Sequence, residues 1–101
     1  MRTARFHGDA RGELVNQIRY YASISNLLGE RFAKEVEDAI ALATEFPEVG
    51  SPHSFGTRRV FPKRFPFSVV YAVIQTEIVI LAIAPAKRKP GYWRHRVADF
   101  P

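Results

Sequence analysis

An α+β fold with the order strand, helix, helix, then three strands is what this sequence predicts. Two amphipathic stretches with helical spacing occupy the first half. Two β-branched runs parted only by Gln75-Thr76 occupy the second. A stretch with Gly50, Pro52 and Gly56, residues 48–56, separates the halves. At 101 residues, with 47% hydrophobic and 25% charged, residues 1–101 suit one domain with a modest core.

Residues 2–6 alternate weakly and predict a short first strand. Gly8-Asp9 then breaks the chain, and the Asp9 carboxylate is expected to cap the first helix. From Ala10 onward, Leu14, Val15, Ile18, Tyr21 and Ala22 recur at steps that share a helical face. Ser23–Gly29 is expected to be a turn, with Asn26 and Gly29 suited to positive φ. Phe32, Val36, Ala39, Ile40 and Ala43 give the second helix its apolar face. Arg31–Glu35 and Lys34–Asp38 are spaced to support it as i,i+4 pairs. Phe46-Pro47 ends it, because proline disfavours the helical region in the preceding residue. The short connector predicts an antiparallel helical hairpin.

Residues 48–56 are expected to be loop, and strands follow at about 57–62, 67–74 and 77–84. Pro62 and Pro66 remove ladder donors and should bracket a bend. Ile78–Ala84 is apolar at every position, which predicts a central strand covered on both faces. Phe61, Phe65, Phe67 and Tyr71 are expected to pack in the core. Trp93 is expected to fold back and anchor the C-terminal segment. Tyr92 would stack on a target or pack against a partner.

Charge divides sharply along the chain. Residues 1–50 hold six Lys/Arg against eight Asp/Glu, a balance of −2. Residues 51–101 hold nine against two, a balance of +7. The basic clusters flank the strand-like runs, so Arg58, Arg59, Lys63, Arg64, Lys87, Arg88, Lys89, Arg94 and Arg96, with Tyr92, form the expected binding surface. Such a surface suits a polyanion or an acidic peptide. With no cysteine, disulfide, thiolate and zinc-thiolate chemistry are excluded, and a reducing cytoplasm is the expected setting. Met1–His7 lacks the apolar core of a signal peptide, and Ile78–Pro85 is too short to span a bilayer. His7, His53 and His95 lie in separate segments without metal-ligand spacing, and neither a metal nor an organic cofactor is expected.

The element order, with Arg-Phe-Pro-Phe-Ser-Val-Val-Tyr (64–71) and Ala-Lys-Arg-Lys-Pro-Gly-Tyr-Trp-Arg (86–94), resembles the RelE/ParE superfamily of bacterial type II toxins. Glu45–Gly50 and Leu28–Phe32 also look like that family. The resemblance covers nearly the whole chain. It implies a twisted, mainly antiparallel sheet with a helical hairpin packed on it. It also implies a cognate antitoxin, with which the toxin forms a hetero-oligomer.

The same resemblance offers two activities. RelE-like members cleave mRNA on the ribosome; ParE-like members poison DNA gyrase without cutting RNA. For cleavage, Arg59, Arg88 and Tyr92 are the candidate residues. However, Ser68 stands where RNA-cutting members commonly carry arginine, and serine cannot grip phosphate in a bidentate cationic contact. Pro85 stands where many relatives have histidine, and proline has no ionisable group. The expected function is therefore ParE-like growth arrest through gyrase. A RelE-like ribonuclease is the alternative, and a decayed toxin that only binds antitoxin the second alternative.

Overall fold

In a computed structural model, which describes residues 3–89 and 91–99, the chain begins with strand β1 (Thr3–Phe6). Arg2 of the expected strand and Pro90 of the expected turn lie outside the described residues. Helices α1 (Gly8–Ile24) and α2 (Asn26–Glu45) follow, then β2 (Ser51–His53), β3 (Thr57–Val60), β4 (Phe67–Ile74) and β5 (Glu77–Pro85). The five strands form one sheet in the order β1-β5-β4-β3-β2. β1 pairs parallel with β5, and the other neighbours are antiparallel. A 3₁₀ turn, Arg94–Asp99, closes the described chain.

The helical hairpin covers one face of the sheet. Ala10, Phe32, Val36 and Ala43 pack there with Val69, Tyr71, Ile78, Ile80 and Ile83. The opposite face holds Val70, Val79, Leu81 and Ala82 under Trp93. The apolar run of β5 is thus buried on both sides, as its composition predicts. Register explains an irregularity in that strand. Val70 faces Ala82 but Tyr71 faces Ile80, so Leu81 is the extra residue of a β-bulge. The bulge puts Leu81 and Ala82 on the same face, while Ile80 and Ile83 keep facing the helices.

Several expectations change. His7, not Asp9, caps α1: its Nδ1 accepts the Asp9 amide proton at 3.1 Å. Asp9 sits instead in the first helical turn, where a carboxylate opposes the helix dipole. Val15 is partly exposed and lies off the buried face of α1. The connector shrinks to Ser25, whose hydroxyl accepts from the Leu28 amide and caps α2. Asn26 and Gly29 are therefore helical rather than turn residues. Residues 51–53 form an edge strand where a loop was expected, and Pro52 is tolerated because edge positions can forgo a donor. The hairpin at Gln75-Thr76 forms as expected, with Gln75 at the positive φ of 57° that two-residue turns require. Lys34 and Asp38 make their i,i+4 contact at 2.8 Å.

Gly29 is needed for a different reason than a turn. A Cβ built there would lie 2.8 Å from Ala22 Cβ and 3.0 Å from Ala22 Cα. The helices therefore touch backbone to backbone. Helix propensity alone predicts that Gly29→Ala gains about 1 kcal/mol. The contact reverses the sign: splaying the hairpin should cost about 1–3 kcal/mol, as overpacking does. Urea unfolding of the Gly29→Ala variant measures which effect dominates.

Candidate functional site

The C-terminal segment is held to the rest of the fold by Glu13. That residue is half-buried on α1, one helical turn after Asp9. Arg96 bonds it twice, Nη1 to Oε1 and Nη2 to Oε2, both at 3.0 Å. The Tyr92 hydroxyl donates to Oε2 at 2.9 Å, and the Ile83 amide donates to Oε1 at 3.0 Å. Strand pairing explains why Ile83 is available. β1 stops opposite Ile80, so a later β5 amide on that side has no strand partner. Arg96 Nη1 also donates to the carbonyl of Leu81, the bulged residue, at 2.9 Å. Asp9 lies 3.8 Å from Arg96 Nε, and His7 Nε2 bonds Asp99 at 2.5 Å.

Arg96 is thus buried at 6% exposure, which corrects its placement on an outward binding surface. Its charge is neutralised inside the fold. The Tyr92 phenol is committed as well. Burial foremost, then the neighbouring Glu13 carboxylate, raises its pKa well above the ordinary tyrosine range. It stays protonated at neutral pH and donates its hydrogen bond to Glu13, so it is unsuited to be a base. Trp93 is buried against the sheet, 5.5 Å from the His53 ring and 6.0 Å from Phe55.

Beside this clasp opens a cavity of about 190 Å³ between the ends of β4 and β5, the middle of β3 and the Tyr92-Trp93 turn. Arg59, Arg88 and Lys89 line it with Ser68, Pro85 and His53, over a floor that includes Phe65 and Phe67. Among the described residues no carboxylate lines it. Strand alternation sets which arginine enters. Arg59 pairs opposite Val70, on the Trp93 side, whereas Arg58 pairs opposite Tyr71, on the helix side. Arg58 there donates to the carbonyls of Gly50 at 2.7 Å and Glu48 at 3.2 Å. Arg59 stacks over Phe61 at 5.2 Å, and its Nε is buried without a partner among the described residues. Phe61 is 57% exposed and lines the cavity, so it is not the core residue its neighbours are.

The sequence-predicted residues therefore divide. Arg59, Arg88, Lys89 and Tyr92 converge on the cavity. Lys63 lies on a separate recess beside Glu35 and Asp38, and Arg94 on a shallow one with Phe55 and His95. Arg64 and Lys87 are exposed in turns. His53 was not expected at the site, because β2 was read as loop. Its pKa is lowered, chiefly by burial and then by Arg59, so it is a neutral imidazole at pH 7. Among the described residues no cluster of three His, Cys, Asp or Glu side chains could hold a metal, and no helix is long and apolar enough to cross a membrane.

The family model for the ParE toxin of type II toxin–antitoxin systems matches residues 4–90. Among solved structures, a chain of the chromosomal ParDE toxin–antitoxin system from P. aeruginosa superposes with a TM-score of 0.65 at 25% identity. The match covers 86% of this chain and 98% of that one. Comparison with curated proteins gives no match.

Tyr92 makes alkaline stability a test of the clasp. A phenol whose folded pKa exceeds its unfolded value stabilises fully below about pH 10 and loses that contribution as pH rises through the folded pKa. The wild-type chain should lose stability above about pH 10, at up to ~1.4 kcal/mol per pH unit for this group. Tyr92→Phe should cost about 1–2 kcal/mol at neutral pH and then fall less steeply. Tyr21, also raised by burial, contributes equally to both proteins. Urea midpoints from about pH 7 to 11 give the two slopes.

Proposed function

The chain belongs to the ParE toxin family of type II toxin–antitoxin systems, and we propose that it arrests growth by acting on DNA gyrase until a cognate antitoxin neutralises it. The observation that carries this reading is the cavity's composition. Among the described residues it gathers cations but lacks a pair of groups able to pass protons. RNA cleavage at a ribose 2′-hydroxyl needs one group to take a proton and another to protonate the leaving oxygen. Ser68 and Pro85 occupy the cavity wall, and the Tyr92 hydroxyl is committed as a hydrogen-bond donor to Glu13. What remains is a rigid cationic surface suited to binding rather than bond breaking.

The antitoxin, in this reading, brings an acidic segment to the basic half of the toxin. Apolar side chains exposed at the hairpin end, Tyr20, Ile24 and Leu27, offer it further contact. So do Phe46, Val49 and Val73 along a wide groove beside Arg58. The complex is a hetero-oligomer formed in the cytoplasm, where both gyrase and ribosomes are found.

A RelE-like ribonuclease is the second reading, and His53 is the observation that favours it. A neutral imidazole in the same cavity as Arg59 and Arg88 could take the 2′-hydroxyl proton while the arginines hold phosphate.

Expression without antitoxin separates the readings. A DNA-damage reporter should respond, and primer extension on a translated message should show no codon-phased cuts. Cuts without a damage response would overturn gyrase as the target, and His53→Ala should then abolish them. A chain that does neither retains antitoxin binding alone.

A further inference from the structure

Arg88 presents an exposed guanidinium at the cavity, and among the described residues no carboxylate pairs with it. A long arginine side chain in water samples many rotamers, so a defined position needs a cause. One contact supplies it: the guanidinium carbon lies 3.7 Å from the centroid of the Tyr92 ring. The ring is itself fixed at its far end, where the hydroxyl bonds Glu13. Glu13 stands on α1, is not part of the cavity lining and makes no contact with Arg88.

We infer that Glu13 is a positioning residue of the basic face: acting through Tyr92, it holds the Arg88 guanidinium in place at the cavity. This inference rests on the proposed binding role of that face. Electrostatics explains why the acid acts at one remove. A carboxylate directly beside Arg88 would neutralise it and compete with an anionic group on the target. Here the Glu13 charge is met by Arg96 through two bonds, so the Tyr92 tether adds order without adding free negative charge near Arg88. The aromatic ring between them transmits position and leaves the Arg88 charge available.

Glu13 variants would also strip Arg96 of its partner and could fail to fold, so Tyr92→Phe is the deciding change. It keeps the ring and removes only the bond to Glu13. In the full chain uniformly labelled with ¹⁵N, the wild-type Arg88 Nε–H signal should be shifted upfield by the ring. In Tyr92→Phe it should move towards the position of a free arginine, and in Tyr92→Leu it should reach it. The Ile83 amide, held by the other oxygen of Glu13, should stay in place in Tyr92→Phe, which a general loosening of the fold would not allow. Growth arrest by Tyr92→Phe should weaken towards that of Arg88→Ala. An Arg88 signal unmoved in Tyr92→Phe overturns the inference. So does a moved signal with full arrest while Arg88→Ala has lost it. Full arrest by Arg88→Ala, or none by the wild type, overturns instead the reading of the basic face on which the inference rests, and the NMR comparison tells these failures apart.

Discussion

The carboxylate of Glu13 joins three parts of the chain that strand pairing and hydrophobic burial alone leave separate. It accepts four hydrogen bonds, two from Arg96 and one each from Tyr92 and the Ile83 amide. Each partner needs that arrangement. Arg96 is buried, and an unpaired buried guanidinium would carry a penalty of several kcal/mol. The Ile83 amide lies past the end of β1 and would otherwise be an orphaned donor. The bulge at Leu81 leaves a carbonyl for Arg96 to satisfy. The same contacts draw residues 92–99 across the sheet, where Trp93 seals the face opposite the helices. A sheet of five strands with one helical layer would otherwise expose Val70, Val79 and Leu81 to water.

The clasp also sorts the basic residues. Arg96 is spent inside the fold, and Arg58 is turned to the helix side to cap carbonyls at the end of the α2 loop. Arg59, Arg88 and Lys89 remain around one cavity that no carboxylate lines among the described residues. Charge counted along the sequence therefore overstates the surface available for binding. The cavity owes its shape to the same alternation of strand side chains that places Val70 and Ala84 in the second core. Its described lining combines the aromatic rings of Phe61, Phe65, Phe67, Tyr92 and Trp93 with the cationic side chains of Arg59, Arg88 and Lys89.

Both helices and the β4–β5 hairpin were legible, because their apolar spacing and the Gln75-Thr76 turn are local signals. The double burial of β5 was legible from its uniform apolarity, although which segment covers its second face was not. β2 was missed because three residues containing Pro52 carry no strand signal, and their pairing with β3 is decided by register. His53 was missed with it. Gly29 looked like a turn residue because glycine carries no sign that distinguishes positive φ from close approach. Arg96 looked like surface for a stronger reason. Its partner is 83 residues away, and nothing local marks a basic residue as buried.

A double-mutant cycle between Glu13 and Arg96 tests most directly whether this pair holds the C-terminal segment to the fold. Unfolding free energies would be measured for the wild type, Glu13→Gln, Arg96→Met and the double variant. Each single change should cost about 3–5 kcal/mol, because it leaves a buried partner unmatched. The double variant should lose well under the sum of the two single losses, with a coupling of at least ~2 kcal/mol. Losses that add to within about 0.5 kcal/mol would mean the two residues act independently, and the clasp would not be what organises the sheet's second face.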